Sequence, residues 1–280
     1  MKIFTTRESL GNYLGQLRSK AQTIGFVPTM GALHPGHLSL IAQAQLHNSV
    51  VVCSIFVNPT QFNDPKDLEK YPRPIASDIE KLETAGCDVL FNPEVKEMYA
   101  GNEHWHLVLG ELEHLLEGEF RPGHYQGVTQ VVYKLFDIVK PDNAYFGQKD
   151  YQQVLVIQKM VQLLNLPVSL VMCPILRETD GLAMSSRNIH LSADERQHAL
   201  ILSRSLNYFS DSFNKDNLFE LLETCKKMIS SEPGVQLEYF EAANADNLHP
   251  ADQNTENIVV LVAAKVGNTR LIDNTILGNH

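Results

Sequence analysis

Cysteine is scarce in this 280-residue sequence, and the four present, Cys53, Cys87, Cys173 and Cys225, stand far apart with no Cys-x-x-Cys pair. That spacing excludes a disulfide framework; three of the four lie in or beside apolar runs, where free thiols are buried. A reducing, cytoplasmic setting follows as the expectation. Long hydrophobic runs are also missing. Nothing approaches the roughly 18 apolar residues of a membrane span, and the amino-terminal stretch has no apolar signal-like segment. Positive charge is in deficit: 23 Lys and Arg against 33 Asp and Glu give a formal net charge of −10. That balance argues against nucleic acid or an anionic membrane as the main partner. The two commonest nucleotide fingerprints, G-x-x-x-x-G-K-[ST] and G-x-G-x-x-G, do not occur, and neither do internal repeats or low-complexity tracts.

What is present is ordinary globular composition, 44% hydrophobic and 20% charged, enough for a sizeable core in one large domain or two modest ones. The organising stretch runs from Ile24 to Asn58. An apolar strand ends at Pro28, a glycine-bearing loop carries His34 and His37, a helix follows, and a second apolar strand starts at Val50. This is a βαβ unit. A helix start offers unpaired N–H groups and the positive end of the helix dipole, so it attracts anions. Gly31 and Gly36 allow close approach of backbone to a ligand. Two imidazoles three residues apart lie on one side of that start and could donate to phosphate oxygens. From the residues alone, a surface loop or half of a metal site remain open for the same pair.

The pattern continues as alternating strands and helices. Helices are expected at 7–22, 37–47, 75–85, 128–139 and 150–164, and strands at 24–28, 50–57, 88–91, 105–109, 143–146 and 168–173. After 176 the pattern changes. Ser192 and Glu195 form a capping box opening a helix to about Phe209, a second helix covers 217–230, and strands are expected at 235–242, 258–266 and 269–273, with Gly267-Asn268 as the hairpin turn. The expected division is 1–175, an α/β domain, and 176–280, a smaller α+β domain.

Polar groups collect at the expected carboxyl ends of strands, the ligand-binding edge of open parallel sheets. Asn58 and Gln61 follow the second strand within a turn-rich stretch, 58–65; Gly147, Gln148, Lys149 and Asp150 follow another. Arg121, in a glycine-rich loop, is a fork of donors suited to carboxylate or phosphate. Ser185, Ser186 and Arg187 suit phosphate oxygens, although a plain linker reads similarly. Asp78, opposite the apolar stripe of its helix, reads as a solvated surface acid.

Six ordered stretches then share one explanation: Pro28–His37, Ser54–Phe62, Tyr71-Pro-Arg73, Arg121–Gly127, Phe146–Gln153 and Met184-Ser-Ser-Arg-Asn188. Together they resemble the pantothenate synthetase (pantoate–β-alanine ligase) family, as does the end, Ile258–Asp273. The resemblance implies an α/β, Rossmann-like parallel-sheet nucleotidylyltransferase domain binding ATP and pantoate, followed by the smaller α+β C-terminal domain as a lid. It implies condensation of pantoate with β-alanine, driven by ATP, through a pantoyl-adenylate. The implied nucleotide contacts are Met30, Gly31, Ala32, Leu33, His34, Pro35, Gly36 and His37, then Gly147, Gln148, Lys149, Asp150 and Leu176, then Met184, Ser185, Ser186 and Arg187. His37, His34 and Lys149 carry the catalytic assignment, with His37 as the family's proton donor. Gln61, Gln153, Asn58 and Arg121 are assigned to pantoate or β-alanine. Mg²⁺ would accompany ATP, with Asp78 as its protein ligand, and a homodimer is implied. Thr60 stands where the family often has methionine and makes the pocket more polar. Two rival classes share the features: a nucleotidylyltransferase that retains a nucleotide on a phosphate acceptor, and a non-catalytic nucleotide-binding protein on the same fold. The neutral amides of Gln61 and Gln153 argue against the first, and retention of every charged motif residue against the second. A zinc site on His34 and His37 lacks further ligands at the right spacing.

Overall fold

The computed structural model describes residues 1–63, 65–99, 101 and 103–277, with Asp67 as backbone only. Asp64 of the turn-rich stretch and the last three residues of the expected second domain lie outside the described residues. The chain divides into two compact units: Met1–Gly147 with Gln153–Cys173, and Gln148–Gln152 with Pro174–His280.

In the first unit, β1 (Lys2–Phe4), β2 (Ile24–Thr29), β3 (Val50–Ile55), β4 (Val89–Phe91), β5 (Asn143–Gly147) and β6 (Ser169–Cys173) form a parallel sheet in the order β1-β4-β3-β2-β5-β6. The helices are α1 (Arg7–Arg18), α2 (Pro35–His47), α3 (Pro65–Lys70), α4 (Ile75–Thr84), α5 (Val95–Met98), α6 (Glu117–Phe120), α7 (His124–Val139) and α8 (Tyr151–Leu163). All six residues of β3 are buried, as expected of a strand covered on both faces. One face packs Phe26, Val52, Phe136 and Phe146; the other packs Val27, Ile41, Val51 and Tyr145. From β2 the chain moves first to β3 on one side and later to β5 on the other. The carboxyl ends of β2 and β5 therefore flank a topological switch point, where open α/β sheets bind ligands.

Two expectations are corrected here. Residues 105–109 alternate like a strand but pair with none. Their backbone is satisfied by a side chain: Gln126 accepts from Leu107 N–H at 3.0 Å and donates to Leu107 O at 2.9 Å, while Trp105 Nε1 donates to Thr129 Oγ1 at 3.0 Å. The alternation records packing against α7. Helix α7 also begins at His124 rather than 128, because Gly123 (φ 77°) turns the chain into the helix. Strand β1 escaped the sequence reading because three residues are too few to show a period.

The second unit holds α9 (Ala193–Ser212), α10 (Leu218–Ser230) and an antiparallel sheet of β7 (Val235–Asn244), β8 (Ile258–Val266) and β9 (Thr269–Ile276), in that order. The capping box is present: Ser192 N–H donates to Glu195 Oε2 at 2.8 Å, and Glu195 N–H to Ser192 Oγ at 3.2 Å. Leu206, Phe209, Cys225, Phe240 and Val262 lie at the centre of its core. All four cysteines are buried and free. Burial pushes every thiol upward, Cys87 and Cys225 to about 11. Among the described residues, no helix is long and apolar enough to cross a membrane.

Candidate active site

The loop between β2 and α2 is shaped by Gly31 (φ 83°) and Ala32 (φ 50°). A Cβ on Gly31 would lie 3.0 Å from both Asp78 Oδ2 and Ile55 Cγ2, so the positive φ and the space both require glycine. These two left-handed residues aim backbone N–H groups at one carboxylate. Ala32 N–H donates to Asp78 Oδ2 and Leu33 N–H to Asp78 Oδ1, each at 2.8 Å. Asp78 is only 1% exposed, which corrects the surface-acid reading. The amphipathic stripe of α4 carried no trace of this, because the carboxylate is buried by a loop rather than by a helix neighbour. Lys81, one turn on, donates to Leu33 O at 2.8 Å and stands 3.9 Å from Asp78 Oδ1.

His34 caps α2, and Pro35 supplies its first residue. The His34 N–H donates to His37 Nδ1 at 3.3 Å, and the two rings lie 4.0 Å apart at 38°. An Nδ1 that accepts leaves the ring proton on Nε2, so His37 presents a donor with its other nitrogen. Both rings are partly exposed at the amino end of a helix. A cavity of about 400 Å³ opens beside this loop, lined by Met30, Gly31, Phe56, Arg73, Asp78 and Asn92 among others. That volume is in the range of small-molecule sites.

After β3, a 3-10 turn (Pro59–Gln61) carries the second set. Gln61 is held at three points. His124 Nδ1 is 2.9 Å from its backbone oxygen, Asn58 Nδ2 donates to Oε1 at 3.2 Å, and its Nε2 reaches Met30 Sδ at 3.1 Å. Asn58, expected at the substrate, is 1% exposed. Its Nδ2 also donates to Gly127 O at 3.1 Å, and its Oδ1 accepts from Tyr99 OH at 2.7 Å and Thr60 Oγ1 at 3.1 Å. Asn58 is thus a brace for Gln61, and the Thr60 hydroxyl joins that brace. Tyr99 and His124 were not singled out from the sequence; the signal for His124 was its place in a glycine-rich loop beside Arg121. Arg121 Nη1 stands 3.9 Å from Glu117 Oε2, and Gln153 is half-buried on α8.

In the second unit, Gln148–Asp150 forms a 3-10 turn. Lys149 Nζ is 3.9 Å from Asp150 Oδ2, and its side chain is 16% exposed. Ser185 Oγ accepts from Arg187 N–H at 3.2 Å and caps the turn Ser186–His190. Met184 N–H donates to Leu176 O at 3.0 Å, and Arg187 is exposed. Lys149 and Ser185 line one small cavity with Asn188 and Asp273. The stretch that read equally as a linker forms a capped turn.

Asp78 has a structural role that the magnesium assignment did not foresee, as the anchor of the histidine loop. Both carboxylate oxygens already accept backbone N–H groups at 2.8 Å. Among the described residues, no group of three or more His, Cys, Asp or Glu is placed to hold a metal by itself.

The family model for pantoate-beta-alanine ligase matches residues 2–276. A pantothenate synthetase of Thermotoga petrophila is 48% identical over 280 residues, covering 99% of this chain and all of the relative. The crystal structure of pantothenate synthetase from Thermus thermophilus superposes with a TM-score of 0.93 at 40% identity, covering 99% of each chain. A pantoate-beta-alanine ligase from Francisella tularensis, complexed with beta-gamma ATP and beta-alanine, matches at 38% identity with a TM-score of 0.82, both chains fully covered. With its parallel sheet and paired histidines, the chain belongs to the pantoate–β-alanine ligase family.

Proposed function

We infer that this chain condenses pantoate with β-alanine at the expense of ATP, forming pantothenate, AMP and diphosphate. In the first step a pantoate carboxylate oxygen attacks the α-phosphorus, the bond to the bridging oxygen of the β-phosphate breaks, and diphosphate leaves. In the second, the β-alanine amine attacks the acyl carbonyl of the adenylate, the bond to AMP breaks, and the amine loses a proton. No protein nucleophile is required. The chain's contribution is positioning and charge neutralisation.

His37 donates through Nε2, and His34, Lys149, Ser185, Ser186 and Arg187 offset phosphate charge. Backbone of Met30–Gly36 and Gly147–Gln148, with Leu176 and Met184, lines the nucleotide, and Asp150 accepts from ribose hydroxyls. Gln61 and Gln153 hold pantoate, Asn58 braces Gln61, and Arg121 is assigned to a carboxylate. Magnesium travels with the phosphates of ATP, and no residue of this chain is assigned to it. The proposal extends to the division of labour: residues 1–175 bind ATP and pantoate, and residues 176–280 supply the Ser-Ser-Arg turn and a lid. It extends also to a cytoplasmic homodimer.

The observation that carries this reading is the family match over residues 2–276. The test is a product assay by mass spectrometry with ATP, Mg²⁺ and pantoate, with and without β-alanine. Pantothenate and AMP from the complete mixture alone, and pantoyl-adenylate when β-alanine is withheld, are expected. A folded, ATP-binding protein that leaves pantoate untouched would overturn the reading.

A further inference from the structure

In the middle of β9, the apolar pair Leu271-Ile272 is followed by Asp273 and Asn274. Both are deeply buried, Asp273 at 4% exposure and Asn274 at 2%. Neighbouring side chains leave a strand on opposite faces. Leu271, on the same face as Asp273, belongs to the core of the second unit. Asp273 therefore occupies a core-facing register, where a carboxylate is costly and an aliphatic side chain would stabilise the fold more.

Each side chain grips a different segment. The Asp273 carboxylate takes the fork of Arg177, Oδ2 from Nη1 at 2.7 Å and Oδ1 from Nη2 at 3.1 Å. Arg177 Nη1 also donates to Gly181 O at 3.1 Å. This closes the turn that returns through a bridge between Arg177 and Ala183 and leads into Ser185–Arg187. The Asn274 amide faces the other way. Its Nδ2 donates to Gln148 O at 2.9 Å and Lys149 O at 3.0 Å, and its Oδ1 accepts from Gln148 Nε2 at 3.1 Å. The cavity shared by Lys149, Ser185 and Asp273 is about 10 Å³, far too small for a substrate, so the two segments meet at a close seam.

We propose that Asp273 and Asn274 are positioning residues that fix Lys149 and the Ser185–Arg187 turn in one mutual geometry. Neither needs to touch substrate. Asn274 sets the backbone from which the Lys149 ammonium projects, and Asp273 sets the turn that presents the two hydroxyls and Arg187. The proposal rests on the assignment of those segments to ATP.

The test uses the full chain with Asn274→Ala and the size-preserving Asp273→Asn. ATP affinity is measured by calorimetry without pantoate, and pantoate-dependent diphosphate release gives kcat and KM. Both variants should weaken ATP binding about tenfold, and Asn274→Ala should lower kcat about tenfold to a hundredfold, the cost of a displacement near one ångström. The KM for pantoate should stay within about twofold, and in a Lys149→Ala background Asn274→Ala should add almost nothing, because both changes remove one interaction. A merely structural role would lower the melting temperature and leave the kinetics of the folded fraction unchanged. That result, or a full additional loss in the Lys149→Ala background, would overturn the proposal. If the wild-type chain binds ATP but forms no adenylate, the functional reading fails, and equal ATP affinities across the three proteins would then overturn the positioning role on its own.

Discussion

The two units solve one problem with opposite chemistry. In the first, a buried carboxylate, Asp78, accepts two backbone N–H groups and so fixes the loop that leads to His34 and His37. In the second, a buried carboxamide, Asn274, donates to two backbone carbonyls and fixes the segment that carries Lys149. The difference follows from what each loop has spare. Left-handed residues at 31 and 32 turn N–H groups inward, so the first loop needs an acceptor. The turn at Gln148–Asp150 points the Gln148 and Lys149 carbonyls at β9, so the second needs a donor. An acceptor of two amides carries a net charge into the interior, with Lys81 3.9 Å away. A carboxamide does the same work without charge, and the second unit places its buried charge one residue earlier, on Asp273, against an arginine fork.

Substitutions can separate the loops from their anchors. The largest effect is expected when the anchored group itself is removed. His37→Ala and Lys149→Ala should each lower adenylate formation by about two orders of magnitude or more, with unchanged circular dichroism, if each supplies charge stabilisation in the transition state. Near-normal turnover by either folded variant would break the equivalence of the two loops. Next comes the first anchor. Asp78→Ala strands two buried N–H groups and should cost about 2–4 kcal/mol of stability in denaturant titration. Were Asp78 instead a metal ligand, the loss would shrink at high magnesium in the presence of ATP; we expect no such rescue.

A smaller effect is expected at Gly127, where an added Cβ would lie 2.3 Å from Thr60 O. Gly127→Ala should cost about 1–3 kcal/mol through backbone displacement and should raise the KM for pantoate through Gln61, with ATP affinity unchanged. The smallest effect concerns acid. Burial pushes the Glu178 carboxyl up, but hydrogen bonds from Arg196 and Asn188 outweigh it and hold the carboxyl below its ordinary value. A lowered carboxylate stabilises the fold above its unfolded value and loses that contribution as the pH falls through the lowered one. Hydrogen exchange in 178–188 should therefore accelerate below about pH 4, and Glu178→Gln should flatten that response.

The alternating strands and helices of the parallel sheet were legible because each carries a long period, and the capping box at Ser192 was legible because it is local. The histidine loop, the Lys149 segment and the Ser-Ser-Arg turn were legible as motifs. The anchors were not. Asp78 looked like a surface acid because burial by a loop leaves no periodic mark. Asn58 read as a ligand because an amide at a strand end looks the same whether it faces substrate or braces a neighbour. Asp273 stood at the end of its expected strand and Asn274 just beyond it, so neither was marked as a buried anchor. Long-range hydrogen bonding, with partners 126 positions apart in the case of Asn274 and Gln148, has no local signature.

The inert cysteines have an experimental use. Cys53, Cys87 and Cys173 lie in the first unit and Cys225 in the second. A buried thiol with a raised pKa reacts with an alkylating reagent only when the surrounding structure opens. The labelling rate at Cys225 therefore reports opening of the α10 core, and the rates at the other three report opening of the parallel sheet. One mass-spectrometric time course would give two independent opening clocks from the native sequence, without an engineered probe.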